Sequence, residues 1–305
     1  MDNLEKYKNR SAVCDNAPYT LFIEPTNHCN LACVFCPQKD QTRDKGFMER
    51  EVFLNLLEDA CNCGVKKINL FFLGESLMHK ELFFMIEEIV KRGLECRLNT
   101  NASFLNEKKA IALLKTGIQH ITISFEGVNK EIYESLRVNG NYETTLANIT
   151  RVIELKNELK SSCEITIEVI ELDETRDLIE DFKKQMKLLN PDYLNVKVYR
   201  NWIGYLDGLK TEDVVKQYNI CSYPWRSMAV LWDGTFVPCC VDFDGIYPLG
   251  KNIPIMDAWN SKEMVSLRKW LIARKDSFSL NKTSSKCSGL CAQCDIPFQK
   301  EDHPQ

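Results

Sequence analysis

Three cysteines set close together early in the chain, Cys29, Cys33 and Cys36, constrain this sequence more than any other feature. They stand in the run Glu24-Pro-Thr-Asn-His-Cys-Asn-Leu-Ala-Cys-Val-Phe-Cys-Pro, spaced Cys-x3-Cys-x2-Cys, just after an apolar, β-rich stretch. A chain of 305 residues with 14 cysteines produces that spacing by chance about 0.03 times. Three thiolates can hold three irons of a four-iron cluster, leaving the fourth iron open to a substrate or cofactor. Structural zinc needs four protein donors, and His28, directly beside Cys29, is poorly spaced to be the fourth.

The rest of the composition narrows the setting. The stretch from Met1 to Arg10 is polar, with no signal-peptide core, and no apolar run approaches the roughly 20 residues of a membrane span. A cytosolic protein without membrane contact is expected. Its thiols stay reduced, so clustered cysteines read as metal or cluster ligands rather than disulfides. The net charge is −4, with acids and bases interspersed, so no field favours nucleic acid.

Apolar β-rich runs alternate with amphipathic helical ones. Strands are expected over 20–26, 66–72, 96–101, 120–126, 163–170 and 193–199. Helices are expected over 49–63, 80–92, 106–116, 142–159 and 173–189. Such units predict a parallel α/β sheet or a partial barrel, with several strands apolar on both faces. Beyond about Trp202 the pattern changes to Gly, Pro and aromatic residues, with one more helix over 261–273. Two domains are expected, 1–205 and 206–305.

The cysteine loop resembles the signature of the radical S-adenosylmethionine (SAM) superfamily. That resemblance covers roughly residues 18–205 and implies a partial (β/α)6 TIM-like barrel. It also implies that the open iron binds the amino and carboxylate groups of SAM, which is cleaved to methionine and a 5′-deoxyadenosyl radical. An electron donor such as flavodoxin or ferredoxin is implied as partner. Leu73-Gly74-Glu75 resembles the family's Gly-Gly-Glu motif, with Leu73 departing from it and Glu75 keeping the carboxylate that pairs with the SAM ammonium. Asn99-Thr100-Asn101 ends the third strand, where the family often carries Thr-Asn-Gly. Ser124-Phe125-Glu126-Gly127 resembles Ser-x-Asp-Gly, whose hydroxyl and acid commonly contact the ribose, with Glu126 replacing Asp. Tyr133-Glu-Ser-Leu-Arg137 resembles the helix whose arginine pairs with the SAM carboxylate.

A second cysteine group follows. Cys221 and Cys239 flank Gly234 as Cys-x12-Gly-x4-Cys, and Cys291-Ala-Gln-Cys294 completes a set of four thiolates. Trp232-Asp-Gly-Thr reads as a tight hairpin turn that brings Cys221 and Cys239 to one end. Four cysteines are also a zinc set. The arrangement resembles the SPASM/twitch extensions that bind auxiliary clusters, so two [4Fe-4S] clusters are expected in all, with Cys240 and Cys287 left over. Adjacent residues of a strand face opposite ways, so Cys240 need not point with Cys239. It is either a small buried residue or a thiol that gives a hydrogen atom to a substrate radical. Cys14, Cys61, Cys63, Cys96 and Cys163 read as ordinary core or surface residues.

The resemblance implies abstraction of hydrogen from a C–H bond of a small sugar, polyol or aminocyclitol, ending in dehydrogenation or epimerisation. The short stretch before Cys29 leaves no room for a peptide-docking domain, which disfavours the peptide-modifying alternative. A non-catalytic zinc protein is a further alternative, but it would not need Glu75, Glu126 and Arg137. Glu24, Glu168, Arg200 and Trp202 are the candidate substrate contacts, supplying carboxylates, a cation and a ring face.

Overall fold

The computed structural model describes residues 11–200, 202–203, 220–276, 290–291 and 294. Its strands are β1 (Thr20–Ile23), β2 (Ala32–Cys33), β3 (Lys67–Asn69), β4 (Glu95–Thr100), β5 (His120–Ser124), β6 (Arg137–Val138), β7 (Glu164–Glu171), β8 (Tyr193–Val198), β9 (Ser227–Val230), β10 (Thr235–Val237) and β11 (Gly250–Lys251). Its helices are α1 (Arg50–Cys63), α2 (Leu82–Lys91), α3 (Glu107–Lys115), α4 (Lys130–Leu136), α5 (Tyr142–Glu158), α6 (Ile179–Lys187), α7 (Tyr223–Arg226), α8 (Ile255–Trp259) and α9 (Lys262–Asp276).

Six parallel strands, β1, β3, β4, β5, β7 and β8, run in sequence order across one sheet, with helices between them. This is the expected partial barrel. Of its strands, β1 is apolar on both faces, with Leu21 and Ile23 on one side and Phe22 on the other, whereas β4, β5, β7 and β8 alternate. Leu21, Ile68, Leu98, Ile121, Ile123, Ile165 and Ile167 face the helices and are fully buried. Each such side chain contributes roughly 1.5–3 kcal/mol of burial. The other face carries Asn99, Ser124, Glu168 and Lys197, which line a cavity.

Local signals set the helix boundaries. Asn106, Asn129 and Asn141 each accept a hydrogen bond from a backbone N–H three residues on, and so start α3, α4 and α5. Gly64, at φ 95°, ends α1. The helix expected to begin at Asp173 begins at Ile179. Thr175 holds a turn there, its hydroxyl accepting from Leu172 N (2.8 Å) and donating to Ile170 O (2.8 Å).

The C-terminal part continues the same sheet. β9 lies parallel to β1, and β10 and β11 extend it antiparallel. The turn between β9 and β10 is the expected hairpin: Gly234 takes φ +85°, and Asp233 accepts from Thr235 N. The proposed boundary at 205/206 lies outside the described residues. Residues 11–16 are fastened to the C-terminal helices. Trp225 and Trp259 donate to Ser11 O and Asn16 O, and the buried Arg268 donates to Ala12 O and Pro224 O. Among the described residues, no helix is long and apolar enough to cross a membrane.

Candidate active site

The cysteine loop leaves the C-terminal end of β1 and is pinned from several sides. Buried Asn27 bridges the loop to the segment that follows, its amide donating to Gln41 Oε1 (2.8 Å) and Asp44 O (3.0 Å) and its carbonyl accepting from Gly46 N (2.9 Å). Cys33 lies on β2, which pairs with β6 so that Cys33 stands opposite Arg137. From below, Gly74 presses against the loop backbone. A Cβ there would lie 2.2 Å from Thr26 O, and the next amide, Glu75 N, donates to His28 O (2.8 Å). Only glycine permits that approach. Burial pushes the thiols of Cys29 and Cys36 up to about 11 and about 12, and that of Cys33 up as well. Ligation must therefore displace a proton from each.

Cys29, Cys33 and Cys36 form one wall of a cavity of about 240 Å³ at the C-terminal ends of the strands. Gly74, Glu75, Asn99, Ser124 and Arg137 line the same cavity, so the structure brings these predicted residues together. Glu75 is buried, and burial raises its pKa. Its carboxylate accepts from Leu77 N (3.0 Å), Thr100 Oγ1 (2.8 Å) and Asn101 N (2.8 Å), which work in the opposite sense. Glu126 differs from the expectation. It is fully buried, is absent from the cavity wall, and forms an ion pair with Arg137 Nε from behind. From there it holds Arg137 in place. Arg137 stacks over Phe35, with Nη1 3.8 Å from Cys33 Sγ.

The C-terminal cysteines divide between two hollows. Cys221, Cys239, Cys291 and Cys294 surround one, walled by Tyr223, Pro238, Leu267 and Leu290. Cys240 turns the other way and lines the barrel cavity with the three N-terminal cysteines. Burial pushes its thiol up, and Arg200 and Lys197 pull it back. Cys287 lies outside the described residues. Cys14, Cys96 and Cys163 are buried core, as expected.

Among the candidate substrate contacts, Glu168, Arg200 and Trp202 line the cavity. Glu24 does not. It is fully buried, bound by Arg43 through both oxygens (2.9 and 2.8 Å) and by Trp232 N (3.0 Å), and it ties β1 to the C-terminal hairpin. The sequence reading missed Lys197, Tyr199 and Tyr223, which also face the cavity. Lys197 had a signal, since it lies two residues beyond Asn195 on a strand and so shares its face.

Fold and site together define an α/β partial barrel that presents three thiols to a cavity at its strand ends. A family model agrees: that of the radical SAM superfamily matches residues 23–182, and that of the SPASM iron-sulfur cluster-binding domain matches residues 221–295. The chain belongs to the radical SAM superfamily. Its cofactors are SAM and [4Fe-4S] clusters, and the partly buried thiols around two hollows supply the donor type that the latter need. The tungsten-containing aldehyde ferredoxin oxidoreductase cofactor-modifying protein of Pyrococcus furiosus is 24% identical over 255 residues, covering 72% of this chain and 70% of that protein. The PqqA peptide cyclase of Granulibacter bethesdensis, 30% identical over 120 residues, and a probable GTP 3',8-cyclase of Methanococcus maripaludis, 28% identical over 131 residues, are matched over 32% and 44% of their own length. SuiB of Streptococcus suis bound to precursor peptide SuiA shares the fold, with TM-score 0.71, 15% identity, and coverage of 96% of this chain and 73% of that one. BtrN in complex with AdoMet and 2-DOIA does so with TM-score 0.61, 19% identity, and coverage of 92% and 94%.

Proposed function

We propose that this enzyme abstracts hydrogen from a C–H bond of a small sugar-, polyol- or aminocyclitol-type molecule, and that Cys240 returns hydrogen so that the carbon is inverted. One observation carries the reading: Cys240 shares a cavity with Cys29, Cys33 and Cys36, whereas its neighbour Cys239 does not. When bound, the N-terminal cluster and SAM supply the 5′-deoxyadenosyl radical that takes the hydrogen atom. Arg137 and Glu75, both in the cavity wall, would bind the carboxylate and ammonium of SAM and fix its orientation. Gly74, Asn99 and Ser124 would shape the pocket around the nucleoside. Cys221, Cys239, Cys291 and Cys294 would hold one auxiliary cluster.

Across the cavity, the Cys240 S–H bond breaks and a C–H bond forms at the substrate carbon, leaving a thiyl radical on sulfur. One electron from an external carrier of the flavodoxin or ferredoxin class and one proton from water restore the thiol.

The test is turnover in D2O with a panel of sugars, polyols and aminocyclitols. Wild-type protein should give a product with one deuterium at the inverted carbon, and Cys240→Ala should give none while still forming 5′-deoxyadenosine. A ketone product without deuterium would replace inversion by dehydrogenation.

A second reading, modification of a peptide, is supported by the similarity to SuiB, whose structure holds a precursor peptide. It would be favoured if peptides, and no panel member, stimulated SAM cleavage.

A further inference from the structure

Tyr223 and Val241 stand in the walls of both hollows. They line the barrel cavity, where Cys240 lies, and also the smaller hollow ringed by Cys221, Cys239, Cys291 and Cys294. Among the described residues, no other side chain borders both. Val241 is aliphatic. Tyr223 carries an oxidisable phenol, so among the described residues it is the one redox-active side chain common to the two walls.

The phenol is held in that wall from outside the two hollows. Tyr223 opens α7, whose Pro224 and Trp225 are buried. Arg268 donates to Pro224 O (2.7 Å), and Trp225 Nε1 donates to Ser11 O (2.7 Å). The turn cannot swing away without breaking these buried bonds. Burial pushes the Tyr223 phenol up, and among its ionisable neighbours the Cys240 thiol has the largest effect, ahead of Arg200, Cys221 and Cys239. The phenol is thus within electrostatic reach of Cys240 on one side and of the second cysteine set on the other.

We infer that Tyr223 restores the Cys240 thiol after each delivery of hydrogen. The inference rests on the reading of Cys240 as the hydrogen donor. The Tyr223 O–H bond breaks and an S–H bond forms on Cys240, so the sulfur gains one electron and one proton and the phenol becomes a phenoxyl radical. Phenol O–H and thiol S–H bonds are close in strength, so the exchange needs little driving force. An electron from a carrier of the flavodoxin or ferredoxin class, arriving on the side of the C-terminal cysteines, and a proton from water return phenoxyl to phenol. A cavity of about 240 Å³ admits a small molecule and not a protein carrier, so the electron needs such a route through the wall.

The experiment uses no substrate. Anaerobically reconstituted protein is incubated in D2O with SAM and reduced flavodoxin, and the deoxyadenosyl radical should then take its hydrogen from Cys240. Wild-type protein should release several equivalents of 5′-deoxyadenosine per chain, each carrying one deuterium. Tyr223→Phe should release about one deuterated equivalent per chain and stop, because its Cys240 thiol is spent once and not restored. Unchanged iron content and melting temperature separate loss of the phenol from loss of a cluster or of the fold. As a second variant, 3-aminotyrosine, a phenol that is easier to oxidise, replaces Tyr223, and electron paramagnetic resonance of the frozen reaction should show a radical on its ring. If Tyr223→Phe loses iron, that radical decides the matter alone. Wild-type yields of deuterated 5′-deoxyadenosine from Tyr223→Phe, or no radical on the aminotyrosine ring, overturn the inference and leave Cys240 as donor. Unlabelled 5′-deoxyadenosine from the wild type, or label kept in Cys240→Ala, strikes the donor reading itself and the inference with it.

Discussion

Glu126 grips Arg137 from behind the cavity wall, and Arg137 in turn brings its guanidinium to within 3.8 Å of the Cys33 sulfur. Both partners of this pair are almost completely withdrawn from solvent, at 0% and 5% exposure. Removing one partner of such a pair leaves the other charge uncompensated, at a cost of about 3–5 kcal/mol. Glu126→Gln should therefore lower the unfolding free energy by an amount of that order and weaken SAM binding. Denaturant titration and equilibrium binding check the two effects. A variant of unchanged stability would show that the pair is not held as described.

Gly74 permits the cysteine loop to sit where it does. Gly74→Ala places a Cβ 2.2 Å from one carbonyl of the loop and 2.7 Å from another, and backbone atoms cannot move aside cheaply. The loop should shift and lose its cluster, so iron should fall by about four atoms per chain while the C-terminal set keeps its own. Iron analysis with low-temperature electron paramagnetic resonance separates the two clusters.

Cys239 and Cys240 make a matched pair of probes. Cys239→Ala should remove about four irons per chain, because its thiol faces Cys221, Cys291 and Cys294. Cys240→Ala should retain the full complement. Iron loss from both variants to the same extent would contradict the division of the two cysteines between two hollows.

His79 predicts an acid-sensitive step in stability. Its Nδ1 accepts from Glu81 N (3.1 Å), and its Nε2 lies 3.0 Å from Met48 O, an arrangement that fits the neutral ring alone. Burial lowers its pKa below 6.5, although the Met48 contact opposes the shift. Below pH 6.5 the unfolded chain binds a proton that the folded chain refuses, so stability is lost as pH falls. The loss should not exceed about 1.4 kcal/mol per pH unit. Melting curves of wild-type protein and His79→Gln between neutral pH and pH 5 should converge on acidification. Parallel curves would exclude His79 as the cause.

What the sequence disclosed follows physical lines. The six barrel strands were legible because β-rich runs recur between amphipathic stretches. Their ends were overextended, since residues such as Phe71, Phe72 and Glu126 lie in loops beyond the paired strand residues. Cys29, Cys33, Cys36 and Gly74 were legible because their chemistry is written in local spacing. Glu24 and Glu126 misled because a carboxylate near a strand end reads as a site residue. Their real partners, Arg43 and Arg137, are settled only by tertiary packing. Tyr223 lies beyond the barrel strands in sequence and reaches the cavity only because β9 docks on β1.

On the proposed function, the Cys29, Cys33 and Cys36 loop places a cluster against bound SAM. Chromatography of anaerobically reconstituted protein incubated with SAM and dithionite tests it most directly. The wild-type chain should yield 5′-deoxyadenosine and Cys33→Ala none. Wild-type protein carrying its full iron yet forming no 5′-deoxyadenosine would contradict it.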